Sequence, residues 1–207
     1  MNAGATMERV YSDLKTQILG GRHPPGTRLD PFHLAKSLRA SPTPVREALH
    51  RLAGERIIDS WHQEGFRVPI LAEADLHDLY HWGAALLSLA LKDQSPPSDQ
   101  PGGLVKLAPS ANYSDGIESL FKAVAMASDN RELRFAIVNL GERCRPLRAA
   151  ELRVDPTANA MLAALEEDFR FGRWTAFRAK ITRFHGQRVE QAGRIVAELR
   201  PRSDPLR

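Results

Sequence analysis

A single cysteine, Cys144, stands in the 207 residues, so no intrachain disulfide can form, and the expected setting is a reduced cytoplasm. No run reaches the ~18 apolar residues of a membrane-spanning helix, and residues 1–6 lack a basic segment followed by an apolar one, so neither export nor a membrane partner is expected. Catalytic signatures are missing as well: there is no Ser/His/Asp elbow, phosphate-cradling glycine loop, HExxH helix or paired-cysteine site. We therefore expect no enzyme, although catalytic groups far apart in sequence escape such a search. What is present is a 43% hydrophobic chain, enough to bury a core in one large or two small domains. Its net charge of +4 suits a polyanionic partner without requiring one.

Periodicity orders the chain. Val10, Leu14 and Ile18 recur every fourth residue, which predicts a helix over 7–19 that ends at Gly20-Gly21. His23-Pro24-Pro25-Gly26 reads as a turn, and a second helix starts at Pro31 with Leu34 and Leu38 facing inward. For the third helix Thr43 is the expected N-cap and Pro44 the first helical residue, where a missing N–H costs nothing. Val45, Ala48, Leu49 and Leu52 then form a buried stripe, which leaves Thr43, Arg46 and His50 on the opposite face.

After Gly54 the period changes. Residues 57–61 and 66–69 read as the strands of a hairpin whose tip is His62-Gln63-Glu64-Gly65. A helix over 72–92 follows, then a loop at 93–103 rich in proline and glycine, which forbid a continuous helix. Further helices are expected at 115–128, 131–151 and 157–199, the last with a break near Gly172. The predicted fold class is mainly α: a three-helix winged helix-turn-helix with a hairpin wing at 1–70, an all-helical bundle at 71–200 and a disordered tail at 201–207.

That order of elements is built to put a helix into a DNA major groove about 12 Å wide. The residues at that helix start, Ser41 to His50, are the expected readers. The text Leu34-Ala35-Lys36-Ser37-Leu38-Arg39-Ala40-Ser41-Pro42-Thr43-Pro44-Val45-Arg46-Glu47-Ala48-Leu49-His50-Arg51-Leu52 resembles the GntR family of bacterial regulators, whose usual text is L-A-x-x-L-x-V-S-R-T-P-V-R-E-A-L-x-x-L. Pro25-Gly26-Thr27-Arg28-Leu29 matches that family's P-G-x-x-L element, and with the wing the resemblance covers roughly 8–69.

The resemblance implies a homodimer on a double-stranded DNA operator, probing it with Ser41, Thr43, Pro44, Arg46, His50 and Arg39, and with His62 and Gln63 in the minor groove. Arg46 would meet guanine or a phosphate. As residues alone, the alternative for Arg46 is a solvated surface charge and for Thr43 a simple cap. Pro42 replaces the family's arginine after the motif serine, Phe32 replaces an arginine of the second helix, and Glu64 repels phosphate at the wing, while Arg39 and Arg51 are candidates to restore charge. These departures keep a second reading open: an interaction module that retains the fold without operator binding.

Residues 71–90, with Leu76, Leu79-Tyr80 and Leu86, resemble the linker helix of the FadR-type branch, which carries an effector-binding, dimerising helical (FCD) domain. Gly83 and Leu87 stand where that branch has an arginine and a glutamate. Its metal motif D-x-x-F-H reads Glu118-Ser119-Leu120-Phe121-Lys122 here, 158–162 holds no histidine, and only His185 stays near a ligand position, so no metal or other cofactor is expected. A persisting cavity would be lined by Trp82, Leu86, Leu120, Phe121, Trp174, Phe177 and Ile181. Glu118, Lys122 and His185 would supply its polar contacts to an apolar or anionic small-molecule effector. Equally, these residues are core and the domain only dimerises, as a repressor of undefined target.

His77 and His81 have a legitimate two-histidine metal spacing, though such pairs are more often surface residues. Cys144 between Arg143 and Arg145 is either a thiol with lowered pKa or an inert one.

Overall fold

The computed structural model describes residues 3–61, 64–92, 107, 110 and 112–200. Chain contacts divide it into two units, residues 1–71 with 200–207, and residues 72–199.

In the first unit the four-residue recurrence of Val10, Leu14 and Ile18 produces helix α1 (Ala3–Leu19) and buries all three side chains. Helix α2 (Pro31–Ser37) is started by Asp30, whose carboxylate accepts from the N–H groups of Phe32 and His33, each at 2.9 Å. Arg39 links it to helix α3 (Pro42–Gly54) in a left-handed conformation, φ 49°, that an L side chain adopts at a cost of ~1 kcal/mol. Val45, Ala48, Leu49 and Leu52 are fully buried, as their spacing requires, against a core that includes Val10, Leu14 and Ile58.

The wing is larger than a hairpin. Strands β1 (Arg28–Leu29), β2 (Asp59–Trp61) and β3 (Gly65–Arg67) form an antiparallel sheet in the order β1-β3-β2. The register pairs Leu29 with Phe66 on the buried face and Arg28 with Arg67 on the exposed face. Residues 57 and 58, expected in the first strand, instead bury Ile57 and Ile58 in the core before the strand begins. Arg56, at φ 57°, turns the chain there.

Among the described residues the regular elements of the second unit are helices: α4 (Glu73–Ala90), α5 (Tyr113–Met126), α6 (Arg131–Cys144), α7 (Arg148–Val154), α8 (Ala158–Arg170), α9 (Trp174–Glu190) and α10 (Ala192–Leu199). Helix α4 packs chiefly on α9 and also on α6, α5 and α10. The expected helix over 131–151 is broken, because Pro146 lacks an N–H and cannot continue the ladder, and a 3-10 turn at Arg145–Leu147 joins α6 to α7. Gly172, at φ 63°, ends α8 as anticipated, and a further break at Gln191 separates α9 from α10. The expected loop 93–103 and tail 201–207 lie outside the described residues, apart from Arg200 preceding the tail. No helix among the described residues is long and apolar enough to cross a membrane.

Candidate nucleic-acid interface

The start of α3 differs from its sequence reading by one repeat of a motif. Ser41-Pro42 and Thr43-Pro44 both carry a cap residue followed by proline, and the chain uses the first: Ser41 is the N-cap, extended at φ −80° and ψ 161°, and Pro42 is the first helical residue. The Ser41 hydroxyl makes no capping hydrogen bond. Pro42 and Pro44 remove their own N–H groups from the first turn, which leaves Ser41 and Thr43 as backbone donors there. A helix start with a spare hydroxyl and spare N–H groups accepts an anionic oxygen readily.

Thr43, Arg46 and His50 are exposed on one side of α3 while its other side is sealed in the core. Among the described residues, neither Thr43 nor Arg46 nor Arg39 has a side-chain hydrogen bond or ion pair. Pro44 is half-buried beside them. The His50 ring meets Phe66 of β3 edge-on, with centroids 4.9 Å apart, and so ties α3 to the wing sheet. His62 and Gln63 lie outside the described residues, and Glu64 is exposed next to them.

Arg51 departs from expectation. Its Nη1 donates to Glu8 Oε2 at 2.8 Å, its Nε lies 3.4 Å from Glu55, and its guanidinium sits 3.7 Å from the Tyr11 ring centroid. This arginine holds α1 to α3 and is already engaged within the fold. Arg28 and Arg67 were not singled out in the sequence, because a two-residue strand carries no periodic signal. Antiparallel pairing nevertheless sets these two exposed arginines opposite each other on the sheet. Phe32 is 59% exposed at the start of α2 and Trp61 is 61% exposed at the end of β2, so apolar side chains border the same cationic elements.

In the helical unit the residues expected around an effector divide: Leu120, Phe121, Phe177 and Ile181 are buried, with Phe121 stacked on His185 at 5.9 Å, and the others differ in exposure. Leu86 and His185 are buried, whereas Trp82 is 51% exposed and Lys122 is exposed. Glu118 is ion-paired with Arg145, which also binds Asp115 at 2.8 Å. A Cβ added at Gly83, where the sequence resemblance would put an arginine, would stand 2.7 Å from His185 Nε2 and 3.1 Å from Leu140 Cδ2, so no larger side chain fits without displacing them. Burial pushes His185 down to about 4, and its Nδ1 lies 2.9 Å from the Ile181 carbonyl, so the ring is neutral at pH 7 and donates there.

The deep polar feature is one that sequence reasoning missed. Glu151 of α7, 1% exposed, accepts from Tyr80 of α4 at 2.8 Å, from Tyr113 of α5 at 3.1 Å, from Arg148 at 2.8 and 2.9 Å, and from Arg188 of α9 at 3.3 Å. Arg188 also donates to the Tyr113 hydroxyl and to the Phe184 carbonyl, and lies over the Phe184 ring. Burial alone would raise the Glu151 pKa, but Arg148 and Arg188 outweigh it and hold the carboxyl below its ordinary value. Burial pushes Tyr113 up to about 12, so its hydroxyl keeps its proton.

Cys144 is buried nearby, and burial pushes its thiol up to about 11; the flanking arginines do not produce a reactive thiolate. Among the described residues no three His, Cys, Asp or Glu side chains are grouped to hold a metal ion. His77 and His81 stack at 6.4 Å, and His77 lies 3.7 Å from Glu73.

Residues 6–68 match the family profile described as bacterial regulatory proteins, gntR family. Over 84 residues the chain is 32% identical to the HTH-type transcriptional regulator YdhC of Bacillus subtilis (strain 168), covering 41% of this chain and 38% of that protein. It is 33% identical over 85 residues to the HTH-type transcriptional repressor GlaR of Escherichia coli (strain K12), covering 39% of each. The matched stretches thus span about two fifths of the length of these curated relatives. A putative GntR transcriptional regulator from Rhodococcus sp. RHA1 shares the fold across 91% of this chain and 97% of its own, with a TM-score of 0.71 at 17% identity. Residues 6–68 of the N-terminal unit are therefore similar to the bacterial regulatory proteins of the gntR family, and the match covers less than half of the chain.

Proposed function

We propose that the protein is a homodimeric, sequence-specific DNA-binding transcriptional regulator that acts as a repressor, with the helical unit serving dimerisation. One observation carries the reading: α3 turns Thr43, Arg46 and His50 outward, with Arg46 and Thr43 unengaged, while the same helix is sealed behind them. Ser41 and Thr43 at the helix start meet a phosphate or base edge, Arg46 makes the bidentate contact, Arg39 adds charge from the turn, and Arg28 and Arg67 track the backbone beside the wing. The half-buried Pro44 packs the helix start and sets the angle at which Thr43 is presented. Repression is supported by the likeness to GlaR, which is named a repressor. The linker-helix text of α4 supports placing the second unit in the FadR-type branch.

Dimerisation is favoured over effector sensing because Trp82 and Lys122 face outward and Glu118 is held by Arg145. A genome-fragment binding selection at near-physiological salt tests the reading. Enrichment of a short pseudo-palindrome is the expected result. A folded, dimeric protein that enriches nothing would instead favour the interaction-module reading, for which the exposed Phe32 and Trp61 would be the docking residues.

A further inference from the structure

Helix α4 is buried on one side by Leu76, Leu79, Tyr80, Gly83, Leu86, Leu87 and Ala90. Its other side is a continuous exposed stripe at heptad-like spacing, running from Asp78 through His81, Trp82, Ala85, Ser88 and Leu89 to Lys92 just past the helix. The stripe carries two of the large apolar side chains that the second unit leaves in solvent, Trp82 at 51% and Leu89 at 54%. It is also self-complementary about its centre. A two-fold axis through Ala85 reverses the helix, so residues whose numbers are equally far from 85 on either side face each other.

That operation sets Asp78 against the partner subunit's Lys92, His81 against the partner subunit's Leu89, and Trp82 against the partner subunit's Ser88. Each contact then occurs twice, as an isologous interface requires. The acidic end meets the basic end, the indole covers a small residue, and the smallest side chain sits where the two helices approach closest. A parallel arrangement would instead oppose Asp78 to Asp78 and Lys92 to Lys92.

We propose that this face of α4 is the self-association surface, with a second copy of the chain bound antiparallel across Ala85. The inference rests on the homodimeric reading above and specifies its geometry. An antiparallel helix pair at 8–10 Å axis separation brings facing Cα atoms at the axis within about 6 Å, inside the reach of a disulfide.

Sedimentation of the full chain across a concentration series, with circular dichroism as the folding control, tests it. Ala85→Glu puts two carboxylates against each other at the axis and weakens self-association by more than about 100-fold without loss of helicity, since the position is exposed. Asp78→Lys and Lys92→Asp each weaken it about three- to tenfold, and the double substitution restores it, because each pair is again opposite in sign. Ala85→Cys yields a covalent dimer on mild oxidation, with wild-type protein, whose Cys144 is buried, as the control that stays uncrosslinked. A wild-type dimer indifferent to Ala85→Glu, or one that Ala85→Cys fails to crosslink, overturns the assignment to this face and leaves the homodimeric reading standing. A wild-type monomer at concentrations of about 100 μM overturns both.

Discussion

On α3 the arginine of the proposed recognition face, Arg46, is exposed and meets no side-chain partner among the described residues, whereas in residues 72–199 Arg148 and Arg188 are folded inward onto Glu151 and buried. The two placements make opposite demands. A cation held in solvent keeps its bonding capacity for another molecule and adds little to stability, while a cation sealed with its counter-ion is committed to the fold and costs dearly if the partner is removed. Arg51 is intermediate, at the surface yet spent on Glu8 and the Tyr11 ring, which is why proximity to α3 alone does not make a residue part of the reading face.

The sharpest way to break the comparison is to remove Glu151. Glu151→Ala strands two buried guanidinium groups and should destabilise the helical unit by about 3–5 kcal/mol, read as a lower urea midpoint. A shift below ~1 kcal/mol would mean that water or rearrangement compensates the charges.

His185 sharpens the same side. Its folded pKa of about 4 lies below the ordinary 6.5, so between these values the unfolded chain binds the extra proton. The neutral ring's contribution is complete above about pH 6.5 and is lost as pH falls toward 4. Lowering the pH from 7 to 5 should cost on the order of 2 kcal/mol through this residue. His23, whose pKa burial also lowers, has the same sign, so the quantity to measure is the difference in slope between wild type and His185→Gln.

On the outward side, Arg46→Ala should leave the unfolding midpoint within about 0.5 kcal/mol of wild type and weaken specific DNA binding by about 1–3 kcal/mol per subunit. The smallest effect is expected at the turn. Arg39→Gly relieves the left-handed strain and should stabilise by less than about 1 kcal/mol while reducing the salt dependence of DNA binding by about one phosphate contact.

The first unit was legible because its signals are local: a four-residue apolar recurrence, an i, i+3, i+4, i+7 stripe and a motif whose residues are contiguous. What escaped there was also local, but ambiguous. Ser41-Pro42 and Thr43-Pro44 are equivalent cap signals, and the two residues of β1 are too few to show alternation. In the second unit Pro146 broke a helix whose apolar pattern continued through it. The Glu151 cluster could not be read at all, since Tyr80 and Glu151 stand 71 residues apart and Arg148 with Glu151 looks in sequence like an ordinary surface pair.

The central claim is that α3 reads a base sequence through residues the fold leaves unengaged. The most direct measurement is the affinity of wild type and Arg46→Ala for a selected operator and for a scrambled duplex of equal length, across a salt series. The expected result is that Arg46→Ala, which removes the contact from both subunits, loses at least about 30-fold on the operator and little on the scrambled duplex, with unfolding unchanged. An equal loss on both duplexes, or no loss on either, would contradict it.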